Sequence, residues 1–307
     1  VYEACDEAGL LVWQDLPLTG PGEFDVARGE DLATRLAARY GTHPSLAAVG
    51  VHDDPVTAFG DGLGSGLLDR LRLRWRAWRT SYDRTAAETV AGVVPDGLAA
   101  VPVVGGPGVD HDAAAYYPGW DYGEAADIDW LLERYPADLL AEFGAGTLVG
   151  ETDSRAPKHD DRVGASQADQ ADVLATVAGR ARQRGLGVVA FALREPAASA
   201  GGTRRAGLGV YAADGEPTAG RDALAAAFEP VQAFVDPAAG SAVVVNDRPE
   251  PLAATLAWAA GDETGEREVE AGPMGRWAGD LSVPTGAEEV RLELAVDGWT
   301  VANGSEV

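Results

Sequence analysis

The sequence predicts an α/β fold followed by an all-β module, and three observations carry that expectation. Apolar runs of strand length alternate with longer helical patterns up to about residue 230, which is the signature of βα units forming a parallel sheet or barrel. After Phe234 the pattern changes to short alternating segments separated by Asp, Gly, Pro and Asn, as in an antiparallel β-sandwich of about 70 residues. The 307 residues, 46% hydrophobic and 24% charged, suit one large domain, or one large and one small, and exclude a disordered tail.

In chain order, the strand-like runs are Leu10 to Leu16, Leu46 to His52, Ala99 to Val104, a weaker run from Val109 to Tyr117, Leu139 to Phe143 and Gly187 to Ala192. Helical stretches lie between and after them: Glu30 to Tyr40, Leu67 to Val93, Ile128 to Tyr135, Gln167 to Arg184 and Arg221 to Phe234. Within Leu67 to Val93, the residues Leu68, Leu71, Trp75, Trp78 and Tyr82 step by three and four along one helix face, and that face is expected to pack on the sheet. Val235 to Gly240 reads as a linker, which divides the chain into residues 1–235 and 236–307. The second part carries strand patterns at Ala242 to Asn246, Leu252 to Ala260, Glu266 to Glu270, Gly279 to Val283 and Glu289 to Val296.

Charge narrows the function. The 24 basic residues face 49 acidic ones, a net charge of -25, so nucleic acid and anionic membrane are poor partners. Lys158 is the sole lysine; an acidic chain with arginine almost alone as its base resembles proteins of extreme halophiles. No apolar run reaches the roughly 18 to 20 residues of a membrane span, and the opening residues lack the basic and apolar segments of a signal peptide, which leans toward a cytoplasmic protein. The chain begins at Val1 rather than Met, as a fragment or processed product would. Its one cysteine, Cys5, cannot form an internal disulfide, and His52, His111 and His159 are too isolated for a metal centre. No cofactor is expected.

Four ordered segments carry a resemblance. They are Tyr2-Glu3-Ala4-Cys5-Asp6-Glu7-Ala8-Gly9-Leu10-Leu11-Val12-Trp13-Gln14-Asp15, then His43-Pro44-Ser45-Leu46 through His52-Asp53-Asp54-Pro55, then Val109-Asp110 through Tyr117-Pro118-Gly119-Trp120, and Ala141-Glu142-Phe143-Gly144-Ala145. In order and spacing they resemble the catalytic barrel of glycoside hydrolase family 2, the family of β-galactosidases, β-glucuronidases and β-mannosidases. Gly207 to Tyr211 and Asp214-Gly215-Glu216-Pro217 extend the likeness, with Thr218 where the family usually has Lys. The resemblance implies strands 3 to 8 of a (β/α)8 TIM barrel over residues 1–235, followed by an immunoglobulin-like sandwich. Strands 1 and 2, and the β-domain that normally precedes the barrel, are not in this sequence.

The resemblance also assigns roles. Retaining hydrolysis needs two carboxyl groups about 5 to 5.5 Å apart, a nucleophile and an acid/base, at the C-terminal ends of barrel strands. Glu142 matches the nucleophile. The family's Asn-Glu pair, in which Asn binds the sugar 2-hydroxyl and Glu donates the proton, falls on Asp53 and Asp54. Asp54 is one methylene shorter than Glu, a withdrawal of roughly 1.5 Å that would open the pair toward the ~6.5 Å of inverting enzymes. Asp53 accepts hydrogen bonds where Asn would also donate. Tyr117 matches a tyrosine beside the nucleophile, Trp120 and His52 are further candidates for the sugar, Ala115 replaces an Asn, and Val189 stands where a strand 8 Trp is expected. Without the resemblance, Asp53-Asp54-Pro55 is a turn and Trp120 a core aromatic. The leading expectation is therefore a β-glycosidase acting on a carbohydrate, impaired to the extent that the acid is misplaced. The alternatives are a drifted relative that binds carbohydrate or serves a structural role, and an unrelated βα-barrel enzyme. An oligomer is compatible with all of them.

Overall fold

In the computed structural model, residues 1–56, 63–147, 166–195, 207–236, 240–281, 289–296 and 299–306 are described; His159 lies outside them. A six-stranded parallel sheet curls as a half-barrel in the order β1-β2-β3-β4-β5-β6, with β1 and β6 as open edges. It is built as α1 (Tyr2–Ala8), β1 (Val12–Asp15), α2 (Val26–Tyr40), β2 (Leu46–Asp53), α3 (Leu67–Arg79), α4 (Thr85–Ala91), β3 (Ala99–Gly105), β4 (Ala113–Ala115), α5 (Ile128–Arg134), β5 (Leu139–Phe143), α6 (Gln167–Gln183), β6 (Gly187–Ala190) and α7 (Ala219–Ala227). The long helices start where caps allow: the Asp25 carboxylate accepts the Arg28 N–H at 3.1 Å, and Ser166 forms a reciprocal capping box with Asp169, each satisfying N–H groups the first turn leaves unpaired.

Two apolar layers join helices to the sheet. Val49, Val51 and Val103 of the strands meet Ala33, Ala87 and Val90 of α2 and α4. Leu140 and Phe143 of β5 meet Ile128 and Leu131 of α5 and Leu174, Val177 and Ala178 of α6. A run buried on one face by helices and on the other by the barrel interior reads as continuously apolar, which is why the strand runs were legible. Three expectations fail in this half. Leu67 to Val93 is not one helix, because Asp83 turns back to accept the Thr85 N–H and hydroxyl and starts α4 afresh, while Tyr82 leaves the helix to meet His52. The face of α3 that packs inward is Leu73 and Ala77, whereas Leu68, Leu71, Trp75 and Trp78 are exposed. The weak strand expected from Val109 to Tyr117 is reduced to three residues, Ala113–Ala115.

The second part contains β7 (Val231–Asp236), β8 (Ser241–Asn246), β9 (Leu252–Ala260), β10 (Glu263–Ala271), β11 (Gly275–Asp280), β12 (Glu289–Val296) and β13 (Trp299–Glu306). They make a four-stranded antiparallel sheet, β10-β9-β12-β13, and a three-stranded one, β11-β8-β7. Val231, Ala233, Ala242 and Val244 of the smaller sheet share one core with Leu252, Leu256, Val269, Leu292 and Leu294 of the larger. The helix expected from Arg221 to Phe234 stops at Ala227. Pro230 has no N–H to continue it, and the alternation Val231, Ala233, Val235 suits the strand that pairs with β8 from Val231↔Asn246 to Asp236↔Ser241. Of the strand expected at Gly279 to Val283, Gly279 and Asp280 end β11 and residues 282 and 283 lie outside those described.

Arg182 ties the two parts together. It is buried on α6 and donates to the Ala227 and Glu229 carbonyls, to Gln232 Oε1 at 3.1 Å and to Asp247 Oδ2 at 2.8 Å. Arg276 of β11 donates to the Arg182 carbonyl at 2.7 Å and to Asp247 Oδ1 at 3.1 Å. A buried guanidinium is tolerated when its forked donors are used in this way.

Candidate active site

Parallel strands deliver their C-terminal ends to one rim, and in a barrel that rim is where loops and chemistry collect. Here the rim carries Asp15 at the end of β1, Asp53 and Asp54 at the end of β2, Ala115 at the end of β4 and Glu142 near the end of β5. Gly50 makes room on β2: a Cβ there would collide with the Asp15 carboxylate and the Trp13 indole, whose N–H donates to Asp15 Oδ1 at 2.6 Å. After β4 the chain turns through Gly119 at φ 81°, a left-handed conformation glycine takes without a Cβ penalty, and brings Tyr117, Asp121 and Tyr122 to the same rim.

One carboxyl oxygen from each of Asp53, Asp54 and Glu142 lies within 4.8 Å of the other two. The nearest oxygens of the pair thus come together despite the shorter Asp54 side chain. Asp54 takes φ 46°, in the left-handed region that aspartate enters more readily than most residues, and its N–H donates to the Val104 carbonyl at 3.1 Å. Tyr117 Oη donates to Glu142 Oε2 at 2.7 Å. Asp53 accepts from Thr19 Oγ1 at 3.2 Å, and its other oxygen is buried without a partner.

Burial together with like charge raises every carboxyl of the group. Glu142 is pushed up to about 8, by desolvation first and by Asp53, Asp54 and Asp15 in addition, with the Tyr117 hydrogen bond pulling the other way. Asp54 is pushed up to about 7 by desolvation, Asp53 and Asp121, and Asp121 to about 6 by desolvation. Asp53 and Asp15 are raised, again chiefly by burial. Carboxyls this close share protons and titrate as a set rather than singly. The three at β2 and β5 converge well enough to hold one cation among them.

The other sequence candidates divide. His52 is buried; its ring nitrogens lie 2.6 Å from Tyr82 Oη and 3.0 Å from the Gly20 carbonyl, and Phe24 packs edge-on. It braces the loop after β1, and neither ring nitrogen is left for a ligand. Trp120 is buried in the core layer beside α5 and α6, so packing is its role. Val189 and Phe191 are both substantially exposed at the open edge. Asp15 and Asp121 were given no role from sequence; the one signal available for Asp121 was an acid set between two aromatics. A small cleft lined by Asp69, Arg70, Tyr122, Asp127 and Trp130 is separate from the carboxyl group, and its charges are spent in the Arg70–Asp127 and Arg72–Asp69 ion pairs.

Fold and rim together place the chain among barrel proteins that gather acids at their strand ends. No family model matches the chain, and no curated protein matches it. Solved structures do: a β-D-mannosidase from Dictyoglomus thermophilum, with TM-score 0.68 and 14% identity over 99% of this chain, and the exo-chitosanase CsxA from Amycolatopsis orientalis, with TM-score 0.64 and 13% identity over 100%. A β-glucuronidase from Bacteroides uniformis matches with TM-score 0.51 and 14% identity over 100%. The chain spans 44%, 43% and 40% of those proteins respectively. It therefore has the fold of part of a β-glycosidase. Complexes of that exo-chitosanase with PNP-beta-D-glucosamine have one aspartate or one glutamate replaced by alanine. No described helix is long and apolar enough to cross a membrane.

Proposed function

We propose that this chain is the catalytic-barrel portion of a retaining β-glycosidase of the glycoside hydrolase family 2 type, with residues 1–235 as the catalytic unit and 236–307 as an appended immunoglobulin-like module that recruits β7 as its first strand. The observation that carries the reading is the Asp54–Glu142 pair, with carboxyl oxygens within 4.8 Å of each other on the rim where strands β2 and β5 end. Ionised Glu142 attacks the anomeric carbon as Asp54 gives its proton to the leaving oxygen. Asp54, now a carboxylate, takes a proton from water, and the resulting oxygen displaces Glu142 with net retention. Tyr117 donates to Glu142 Oε2, which favours the ionised nucleophile and holds its other oxygen toward the sugar.

The electrostatics favour one substrate class, a β-linked amino sugar. Asp53 stands where a donor to the 2-hydroxyl would be expected, and an acceptor there suits a 2-ammonium group, which can only donate. A substrate cation also neutralises the mutual repulsion that raises Asp54 and Glu142, restoring an ionised nucleophile near neutral pH. The likeness to an exo-chitosanase is consistent with this.

The test is a panel of aryl β-glycosides of glucosamine, mannose, galactose, glucose and glucuronic acid at high salt. The glucosaminide is expected to glycosylate Glu142, detected as added mass on its peptide, and Glu142→Gln to abolish that. Asp53→Asn is expected to move preference toward neutral sugars. If no sugar labels Glu142, and Asp53→Asn with Asp54→Glu recovers nothing, the protein is a carbohydrate-binding or structural relative.

A further inference from the structure

Helix α3 is the anomaly of the surface. Its sequence, Leu67-Leu68-Asp69-Arg70-Leu71-Arg72-Leu73-Arg74-Trp75-Arg76-Ala77-Trp78-Arg79, holds five of the chain's 24 basic residues and one acid. At about 100° per residue, Leu67, Leu68, Leu71, Trp75 and Trp78 form one stripe with arginines along both borders, and the buried Leu73 and Ala77 lie on the opposite side. The stripe is open: Trp78 is 81% exposed, Leu67 76%, Leu68 69%, Trp75 56% and Leu71 47%. That is roughly 700 Å² of apolar surface, above an ordinary monomer patch and close to what one partner gives a standard interface.

A complementary surface exists on the same chain. The outer face of the four-stranded sheet presents Ala253, Thr255, Ala257 and Ala259 of β9 as a low strip. Beside it on β10 run Glu270, Glu268 and Glu266, paired in register with Ala253, Thr255 and Ala257, all three exposed. On the other side Glu293 of β12 pairs with Ala257 and exposed Arg291 with Ala259, so the continuous acidic edge is the one on β10. The strip is roughly 20 Å long at strand rise, against roughly 17 Å from Leu67 to Trp78 at helix rise. A ridge of large apolar groups edged with arginine thus matches, in length and sign, a shallow track edged with glutamate.

We infer that a second copy of this chain occupies the stripe, with α3 of one copy lying on the outer face of β9 and β10 of the other. Pairing α3 with its own copy would instead set arginine against arginine. An anionic membrane is disfavoured by the net charge of -25.

The experiment is sedimentation velocity of the full chain over a range of concentrations in 0.15 M KCl, with circular dichroism to check folding. Reversible self-association in the micromolar range is expected. Trp75→Ser with Trp78→Ser should weaken it by about tenfold or more, as should either charge exchange, Arg72→Glu with Arg74→Glu and Arg79→Glu, or Glu266→Arg with Glu268→Arg and Glu270→Arg. Because all these positions are exposed, folding should persist. Mixing the two charge-exchanged chains should restore association, which a merely damaged surface would not do. A monomer at all concentrations overturns the inference. So does association that survives the tryptophan changes, which would place it at the open strand edges, or a mixture that stays monomeric. Loss of stripe-dependent binding to vesicles of three parts phosphatidylcholine to one of phosphatidylglycerol in the tryptophan variant, with no self-association, would make the occupant a lipid surface and overturn it equally.

Discussion

Asp121→Asn should stabilise the fold, and only at the pH where the wild-type carboxyl ionises. Asp121 lies on the rim loop after β4, and burial raises it from an ordinary 3.8 to about 6. A raised acid binds protons more tightly in the folded than in the unfolded state, so its contribution is fully present below about pH 4 and is lost as pH rises through 6. The rise from 3.8 to about 6 corresponds to at most about 3 kcal/mol. Asparagine has nearly the same shape and no ionisation to lose. Urea midpoints measured at pH 4 and pH 8, in constant high KCl and with unchanged slope, should coincide at pH 4 and favour the variant at pH 8 by up to that amount. Since Asp121 also raises Asp54, the variant should lower the Asp54 titration seen by carboxyl NMR. An equal effect at both pH values, or a variant less stable at pH 8, would refute the electrostatic account.

Three further outcomes are expected. Tyr117→Phe removes the donor to Glu142 and should move the Glu142 carboxyl titration upward by about one unit, again read by carboxyl NMR. Arg182→Met leaves Asp247 without one of its two arginines and two carbonyls and Gln232 without their donor; it should cost about 3 to 5 kcal/mol in urea unfolding. With a net charge of -25, the thermal midpoint should rise from 0.01 M KCl, where the Debye length is about 30 Å, to molar KCl; a flat or falling midpoint would contradict the salt-adapted reading of the composition.

Strands were the legible part of this fold, and helix orientation was not. Leu46 to His52 and Leu139 to Phe143 are covered on both faces, so nearly every residue is apolar and the run announces itself. For α3 the period correctly grouped Leu68, Leu71, Trp75 and Trp78, but a period states which residues share a face and is silent on what that face meets. The barrel takes the smaller side, Leu73 and Ala77, and Arg70 reaches Asp127 from it. At the site, Glu142, Tyr117, Asp53 and Asp54 could be named because local motifs carried them. Asp15 and Asp121 could not, since a carboxyl on another strand or loop becomes a neighbour only when the sheet curls. His52 and Trp120 misled for the opposite reason: residues adjacent in sequence to the rim can still point into the packing behind it.

On the proposed reading, the acids at the rim also make a shorter acid at position 54 workable. An acid/base must hold a proton when substrate arrives, and for that a raised carboxyl serves better than an ordinary one. Asp54, at about 7, has that property from burial and from its acidic neighbours. The same neighbours are a liability for Glu142 as the proposed nucleophile, which would need to be ionised to attack yet is raised to about 8. One arrangement of charge cannot satisfy both needs in the empty site. Tyr117 offsets part of the conflict by favouring the Glu142 anion. In that reading a substrate cation held at Asp53 lowers both carboxyls, and the nucleophile gains its ionised form at neutral pH. On the proposed reading, the cost of gathering these carboxyls is borne by the free protein and relieved when a cationic sugar binds, because its ammonium group is drawn to the same acids that repel one another without it.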